Sequence, residues 1–261
     1  MARLCYSFIP MTAQITYIGH ATTLLEVGGA HFLTDPLFSR RMLLLKRCEL
    51  LQYDPATLPN LAAVLLSHPH HDHLDLFSFK YIPSTVPIIT GEGMEAYIGR
   101  FVNNPVIELN TWAKHKVGNV EITLVPAIHT AHRWPWPVGW KNAHGFVLSD
   151  GRQTVYFAGD SAYGKHFSEI GQLFHPDVAL LPISPCWPQW YYRQMHMNPD
   201  QALQAFEDLK ARKMVPIHWG TFSLGLEPVT RPIEWLKEKA AATNRTEQVH
   251  ILHSGETLTL A

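Results

Sequence analysis

The sequence predicts an α/β fold in which two sheets pack face to face with helices on the outside. Three observations lead there. Short apolar runs of strand type outnumber helical patterns, and the two kinds are interspersed along the chain. No Pro/Gly/Ser-rich or charge-rich stretch divides the chain into separate pieces. Finally, 261 residues at 46% hydrophobic content suffice for one sizeable core.

Taken in order, residues 1–10 read as an extension ahead of Met11 without a signal-peptide cleavage pattern, and residues 11–261 as a single domain. Strands are expected at 15–18, 22–27 and 31–34, separated by Gly and Asp-Pro signals. Residues 40–47, RRMLLLKR, set four apolar side chains between basic pairs. A helical turn covering the core is one reading, and an element dipping into a membrane interface is the other. A buried strand follows at 62–66, then helices at 75–81 and 94–101. Strands return at 106–109, 120–125, 145–148 and 154–157, with Asp150-Gly151 as a two-residue hairpin turn between the last two. Further strands are expected at 178–181 and 214–217, and helices at 199–210 and 232–242. The first of these helices opens with Asn198 as cap, Pro199 in its first turn and Gln201 three residues after the cap.

A net charge of -1 argues against a surface built to hold nucleic acid by bulk electrostatics. Cys5, Cys48 and Cys186 are odd in number and far apart, which fits a reducing, cytoplasmic compartment better than a disulfide framework. No apolar run reaches the ~18–20 residues of a membrane span. The chain could still form a homo-oligomer or touch a membrane peripherally. The outlier is histidine, with 16 residues, which directs attention to metal or proton chemistry.

Residues 65–75 read LLSHPHHDHLD. In extended chain alternate side chains share a face, so His68 and His70 can address one metal, while Asp72 and His73, past the bend, can reach a second. Imidazole nitrogen and carboxylate oxygen are donors that zinc accepts at sites with an open position. A solvated histidine tract is the plainer alternative. Three more candidates each follow a strand-like run: His129 after EITLVPAI, Asp160 after TVYFAG and His218 after KMVPI. Strand ends at one rim of a sheet converge, and sites are commonly built there.

These residues resemble the metallo-β-lactamase superfamily, and within it the branch of N-acyl-phosphatidylethanolamine phospholipase D and ascorbate-6-phosphate lactonase. The segments YIGHATTLLEV, FLTDPLFS, LLSHPHHDHLD, YFAGDSAYG, ALLPIS, HMNPDQA and PIHWGTF run in that branch's order. The resemblance implies a four-layer αβ/βα sandwich with two metals at one edge of the sheets. It implies His68, His70 and His129 on the first metal, Asp72, His73 and His218 on the second, and Asp160 between them. The metals implied are two Zn2+, with Mn2+ or Fe2+ in some relatives. Two departures bear on substrate: the stretch HTAHRWPWPVGWKNAHGF at 129–146, and the lack of a long N-terminal extension.

Two divalent cations with two carboxylates and a bridging hydroxide would remain net positive, attracting an anionic substrate and stabilising developing negative charge. The expected enzyme is a metal-dependent hydrolase. Asp72 and Asp160 are its catalytic carboxylates, and it attacks a phosphodiester of a phospholipid-like substrate, or else a lactone or ester. Asp35 is a candidate for orienting a ligand; His20 reads as closing a turn. His196, His71, His132, His144 and Trp136 are candidate substrate contacts. Trp136 belongs to an aromatic run at 133–140 that, with Trp187, Trp190, Tyr191 and Tyr192, could wall a pocket. Arg133, Lys141, Lys165 and Arg193 could serve a sugar-phosphate lactonase. A redox di-iron protein would carry Glu where His70 stands, and a metal-binding scaffold without turnover is the third class.

Overall fold

The computed structural model describes residues 12–133 and 143–260. The segments at 1–10 and 134–140, including Cys5 and Trp136, and Lys141 lie outside the described residues. The described residues begin with an antiparallel meander: β1 (Gln14–Gly19), β2 (Thr22–Val27) and β3 (Ala30–Thr34). A ribbon of β4 (Arg41–Met42) and β5 (Leu45–Lys46) follows, then β6 (Leu61–Leu66), β7 (Ile88–Gly91), α1 (Glu95–Ile98) and β8 (Val106–Leu109). Next come β9 (Lys114–Val117), β10 (Val120–Pro126), β11 (His144–Ser149), β12 (Thr154–Phe157), α2 (His166–Phe174) and β13 (Val178–Pro182). The rest is α3 (Gln189–Tyr192), α4 (Pro199–Leu209), β14 (Lys213–Ile217), α5 (Arg231–Ala242) and β15 (Thr257–Thr259).

Among the described residues the strands form two mixed sheets besides the ribbon. The first has order β15-β1-β2-β3-β6-β7-β8 and the second β14-β13-β12-β11-β10-β9. In the first, β3, β6, β7 and β8 are parallel; in the second, β12, β13 and β14 are. Between the sheets, Ile15, Phe32 and Leu65 of the first meet Ile122, Phe146, Phe157 and Leu180 of the second. Burying one such side chain contributes about 1.5–3 kcal/mol. The second sheet's other face carries Tyr156, Ala179 and Met214, covered by Phe167, Phe206 and Leu236 of α2, α4 and α5. On the outer face of the first sheet, Val64 and Ile88 pack under Phe79, Met94 and Ile98. This is the four-layer αβ/βα arrangement that the resemblance implies.

Several local expectations are corrected. The helix expected at 75–81 is a 3-10 segment, Leu76–Tyr81, which the Asp75 carboxylate caps by accepting the Phe77 amide. The one expected at 94–101 shrinks to α1, closed at Gly99. Residues 41–46 form the β4–β5 ribbon rather than a helical turn on the core, and Leu43 and Leu44 at its tip are exposed. The turn after β11 spans residues 150–153, because the Asp150 carboxylate gathers the amides of Arg152 and Gln153 and lengthens it beyond two residues. The strands β7, β9 and β15 and the helix α2 carry too few periodic residues or lack a cap, so local pattern does not reveal them. Cys48 and Cys186 are free thiols.

Helix α2 lies close to α4 at Gly171, where a Cβ would stand 2.6 Å from the Asp208 carbonyl oxygen and 2.7 Å from Leu209 Cα. A Gly171→Ala substitution is therefore expected to cost about 1–3 kcal/mol of stability, read as a lower midpoint in denaturant with the slope unchanged. An unshifted midpoint would contradict this packing.

Candidate metal centre

The strand ends place the ligand candidates. The 67–73 loop leaves the C-terminal end of β6, Asp35 follows β3, and His20 sits in the turn after β1. From the second sheet, His129 follows β10, Asp160 follows β12 and His218 follows β14. Chain direction brings these ends to one edge. Gly159 allows the last step at Asp160: its φ is +59°, and a Cβ there would come within 2.7 Å of Ser67 Cβ.

Two adjoining clusters result. In one, His68 Nε2 is 2.9 Å and His129 Nε2 3.1 Å from His70 Nδ1, and Asp160 Oδ2 lies 3.9 and 3.8 Å from His68 and His129. In the other, His218 Nε2 is 3.3 Å from Asp72 Oδ2, and His73 Nε2 is 3.9 Å from the same oxygen. Asp160 Oδ2 joins the two, 3.2 Å from both His73 Nε2 and His218 Nε2. Zinc–nitrogen bonds of about 2.0–2.1 Å imply tetrahedral edges of roughly 3.4 Å, so these spacings fit a cation.

The groups behind the clusters fix which nitrogen faces inward. His73 Nδ1 donates to Asp35 Oδ2 at 2.6 Å, which turns Nε2 to the cluster. Asp35 also accepts the Ser67 amide at 2.8 Å and the Ser67 hydroxyl at 2.6 Å. With that hydroxyl donating to Asp35, His68 Nδ1 donates to Ser67 Oγ at 2.9 Å. His129 Nδ1 donates to the Met195 carbonyl at 2.7 Å. Left over are His218 Nδ1 and Asp160 Oδ1, buried without a hydrogen bond, and His73 Nε2 and His218 Nε2, whose approach to the carboxylates lacks hydrogen-bond geometry. Such burial is costly unless something else satisfies it, and convergent lone pairs on nitrogen and oxygen suit a divalent cation.

Electrostatics agree. Burial lowers the pKa of His68 far below the usual 6.5, lowers His70 to about 4, and lowers His129 as well. At His73 and His218 burial also opposes charge, but Asp160 and Asp72 outweigh it, raising His73 well above 6.5 and His218 to about 9. Burial opposes ionisation of Asp72 and Asp160 too, yet the neighbouring imidazoles hold both far below the usual carboxylate range. Protons on His73 and His218 thus neutralise the paired carboxylates, a task that a cation would take over.

Other sequence candidates separate here. His196 is buried, with Nδ1 3.6 Å from Asp160 Oδ2. His71 lines a groove of about 400 Å3 beside the loop, together with Arg41, Met42, Leu43, Leu74 and Phe77. His132 is exposed, and His144 is buried away from the clusters, against Gly91 and within 3.2 Å of Thr111 Oγ1. Arg133 is turned inward, donating to the carbonyls of Pro69 and Leu74 and so clamping the 68–73 loop. His20 does more than close a turn. Its Nε2 lies 3.1 Å from Asp72 Oδ2, its ring is 3.9 Å from that of His218, and its carbonyl accepts the His218 amide. The signal available in sequence was its place after a strand, as for the other ligand candidates.

The description "Beta-lactamase superfamily domain" matches residues 30–219. The chain belongs to the β-lactamase superfamily. A curated superfamily relative, N-acyl-phosphatidylethanolamine-hydrolyzing phospholipase D 1 of Caenorhabditis elegans, is 32% identical over 85% of this chain and 68% of its own length. A metal-dependent hydrolase of Pyrobaculum aerophilum is 30% identical over 94% of this chain and 99% of its own. A solved metallo hydrolase from the archaeon Ignicoccus hospitalis shares the fold at a TM-score of 0.73, with 24% identity over 96% of this chain and 99% of that one. The superfamily class in which the chain falls is that of metal-dependent hydrolases.

Two outcomes are expected from this geometry. In chelator-treated protein, the raised His73 and His218 stabilise the fold below pH 6.5, and that contribution fades as pH rises toward about 9. The lowered His70 and His20, at about 4 and 3, act the other way and remove stability as pH falls below 6.5. Thermal midpoints across pH 4–10 should peak near neutrality; a flat profile would contradict the assignment. Secondly, His20→Ala should weaken binding of a divalent cation about 10–100-fold, read by competition with a chromogenic chelator.

Proposed function

We propose that the chain is a dinuclear hydrolase that cleaves phosphodiesters of phospholipid-like, anionic substrates, as the Caenorhabditis elegans relative's name describes for that protein. The observation carrying this reading is the double cluster with Asp160 between its halves. We assign His68, His70 and His129 to one cation and Asp72, His73 and His218 to the other. Two Zn2+ suit the all-imidazole and carboxylate donor set; Mn2+ or Fe2+ are the alternatives. Bound there, the cations supply electrophilic stabilisation of a phosphoryl group and an acidified water. Residues 11–261 act together as one domain in this reading, supported by a core in which Ala13 and Leu260 join both sheets.

The chain's own residues have defined tasks. Asp72 and Asp160, held ionised by their surroundings, balance cation charge and orient the attacking water. Asp35 keeps His73, and through Ser67 also His68, in the ligating tautomer. His196, buried at Asp160, is placed to contact the substrate phosphate. The groove at His71 offers Leu76 and the exposed Phe77 to an apolar chain and Arg41 to a negative headgroup. It favours a lipid-like substrate over a small lactone. Arg133, a candidate for holding a sugar phosphate, is already committed to the loop carbonyls. The free Cys48 at the surface fits a cytoplasmic setting.

The test pairs Asp160→Asn and His218→Ala with metal content and turnover. Both variants should lose at least part of the metal, and activity by more than the roughly 10–100-fold that changes behind the ligands cost. The panel is bis-p-nitrophenyl phosphate, an N-acyl phospholipid and a sugar-phosphate lactone. Full phosphodiesterase activity in the metal-free protein would reject the proposal, and lactone turnover leading the panel would move it to the lactonase reading.

A further inference from the structure

We propose that the β4–β5 ribbon is a membrane-docking element that seats the rim of the metal cluster on an anionic lipid surface. The ribbon turns through Leu43 and Leu44, which are 66% and 94% exposed. Tight two-residue turns of this kind favour Asn and Gly, because the backbone must enter positive φ. Leu43 adopts φ +52°, a costly conformation for a bulky side chain. Local folding therefore gains nothing from leucine at position 43, and neither tip side chain belongs to the core.

Charge identifies the partner. Arg40, Arg41 and Lys46 enter no ion pair among the described residues, and they flank the leucines in a chain whose net charge is -1. Arg47 is different: it turns inward to donate to the Leu37 carbonyl and lies over Phe222, fixing the base of the ribbon. Protruding leucines ringed by unpaired cations match a bilayer interface, where each cation near an anionic surface strengthens binding roughly five-fold. A protein partner would need a shaped apolar face instead, whereas here the apolar side chains stand out singly at a tip.

Position links docking to the site. At the ribbon's base Met42 packs with Leu37 and Phe222, the last only four residues beyond His218. Leu43 and the exposed Phe77 both line the groove that holds His71. A ribbon tip set into lipid would bring the mouth of that groove to the membrane. The inference concerns binding alone and does not depend on which bond the centre cleaves.

The experiment is co-sedimentation of the full chain with vesicles of phosphatidylcholine, alone or mixed with phosphatidylglycerol, at low and high salt. Wild type should partition at least about ten-fold more strongly onto the anionic vesicles, and added salt should weaken it. Leu44→Asp should lower that partition about ten-fold or more, and the pair Arg40→Glu with Lys46→Glu by more than roughly 25-fold. All variants should keep the wild-type thermal midpoint and turnover of soluble bis-p-nitrophenyl phosphate. Equal binding by wild type and variants, or none by wild type, would overturn the proposal. So would a dimer in sedimentation velocity that Leu44→Asp dissociates, since the ribbon's partner would then be a second copy.

Discussion

The structure depends on one constraint: a set of buried imidazoles must share a space with two ionised carboxylates and still be satisfied. Burial alone would strip the charge from each of these groups. Asp160 reverses that for His73 and His218, because its Oδ2 lies 3.2 Å from both. Remove the carboxylate and several nitrogens face each other at hydrogen-bond distance with nothing of opposite sign between them. The centre is therefore a mutually compensated network, costly in parts and stable only as a whole.

The sandwich serves this network by aligning strand ends. Parallel pairing of β3 with β6, and of β12 with β13 and β14, sends Asp35, the 68–73 loop, Asp160 and His218 out at the same edge. The backbone then bends sharply where these side chains must turn inward. His20, Asp35 and His218 all take positive φ, at 61°, 34° and 59°. Each such residue costs of the order of 1 kcal/mol or more. Hydrogen bonds from Ser67 to Asp35 and from the His218 amide to the His20 carbonyl offset part of it.

The rim around the centre differs in character from its floor. Below, polar atoms are buried and converge, several of them without a hydrogen bond; above, Phe77, Leu43 and Leu44 stand in solvent. The groove at His71 joins these two environments. Besides the 71–75 loop and Arg133, its residues come from the ribbon and the 3-10 segment, pieces where the sequence pattern suggested helix or a helical turn. Their short lengths leave the side chains projecting rather than folded onto the core.

The sequence by itself determined the chemistry of the donors and the existence of most strands. HPHHDH packs four imidazoles and a carboxylate into six residues, and the apolar runs before His129, Asp160 and His218 mark each as a strand end. Those are local properties, readable from spacing. Only the tertiary structure decided which donors meet, because sheet order and strand direction are set by non-local pairing. It also separated His20 and His144, which look alike as lone histidines. Both lie at the same sheet edge, but the His20 ring turns toward Asp72 and His218, while the His144 ring packs against Gly91. The same holds for the ribbon, whose RRMLLLKR pattern is compatible with a covered turn until register exposes its tip.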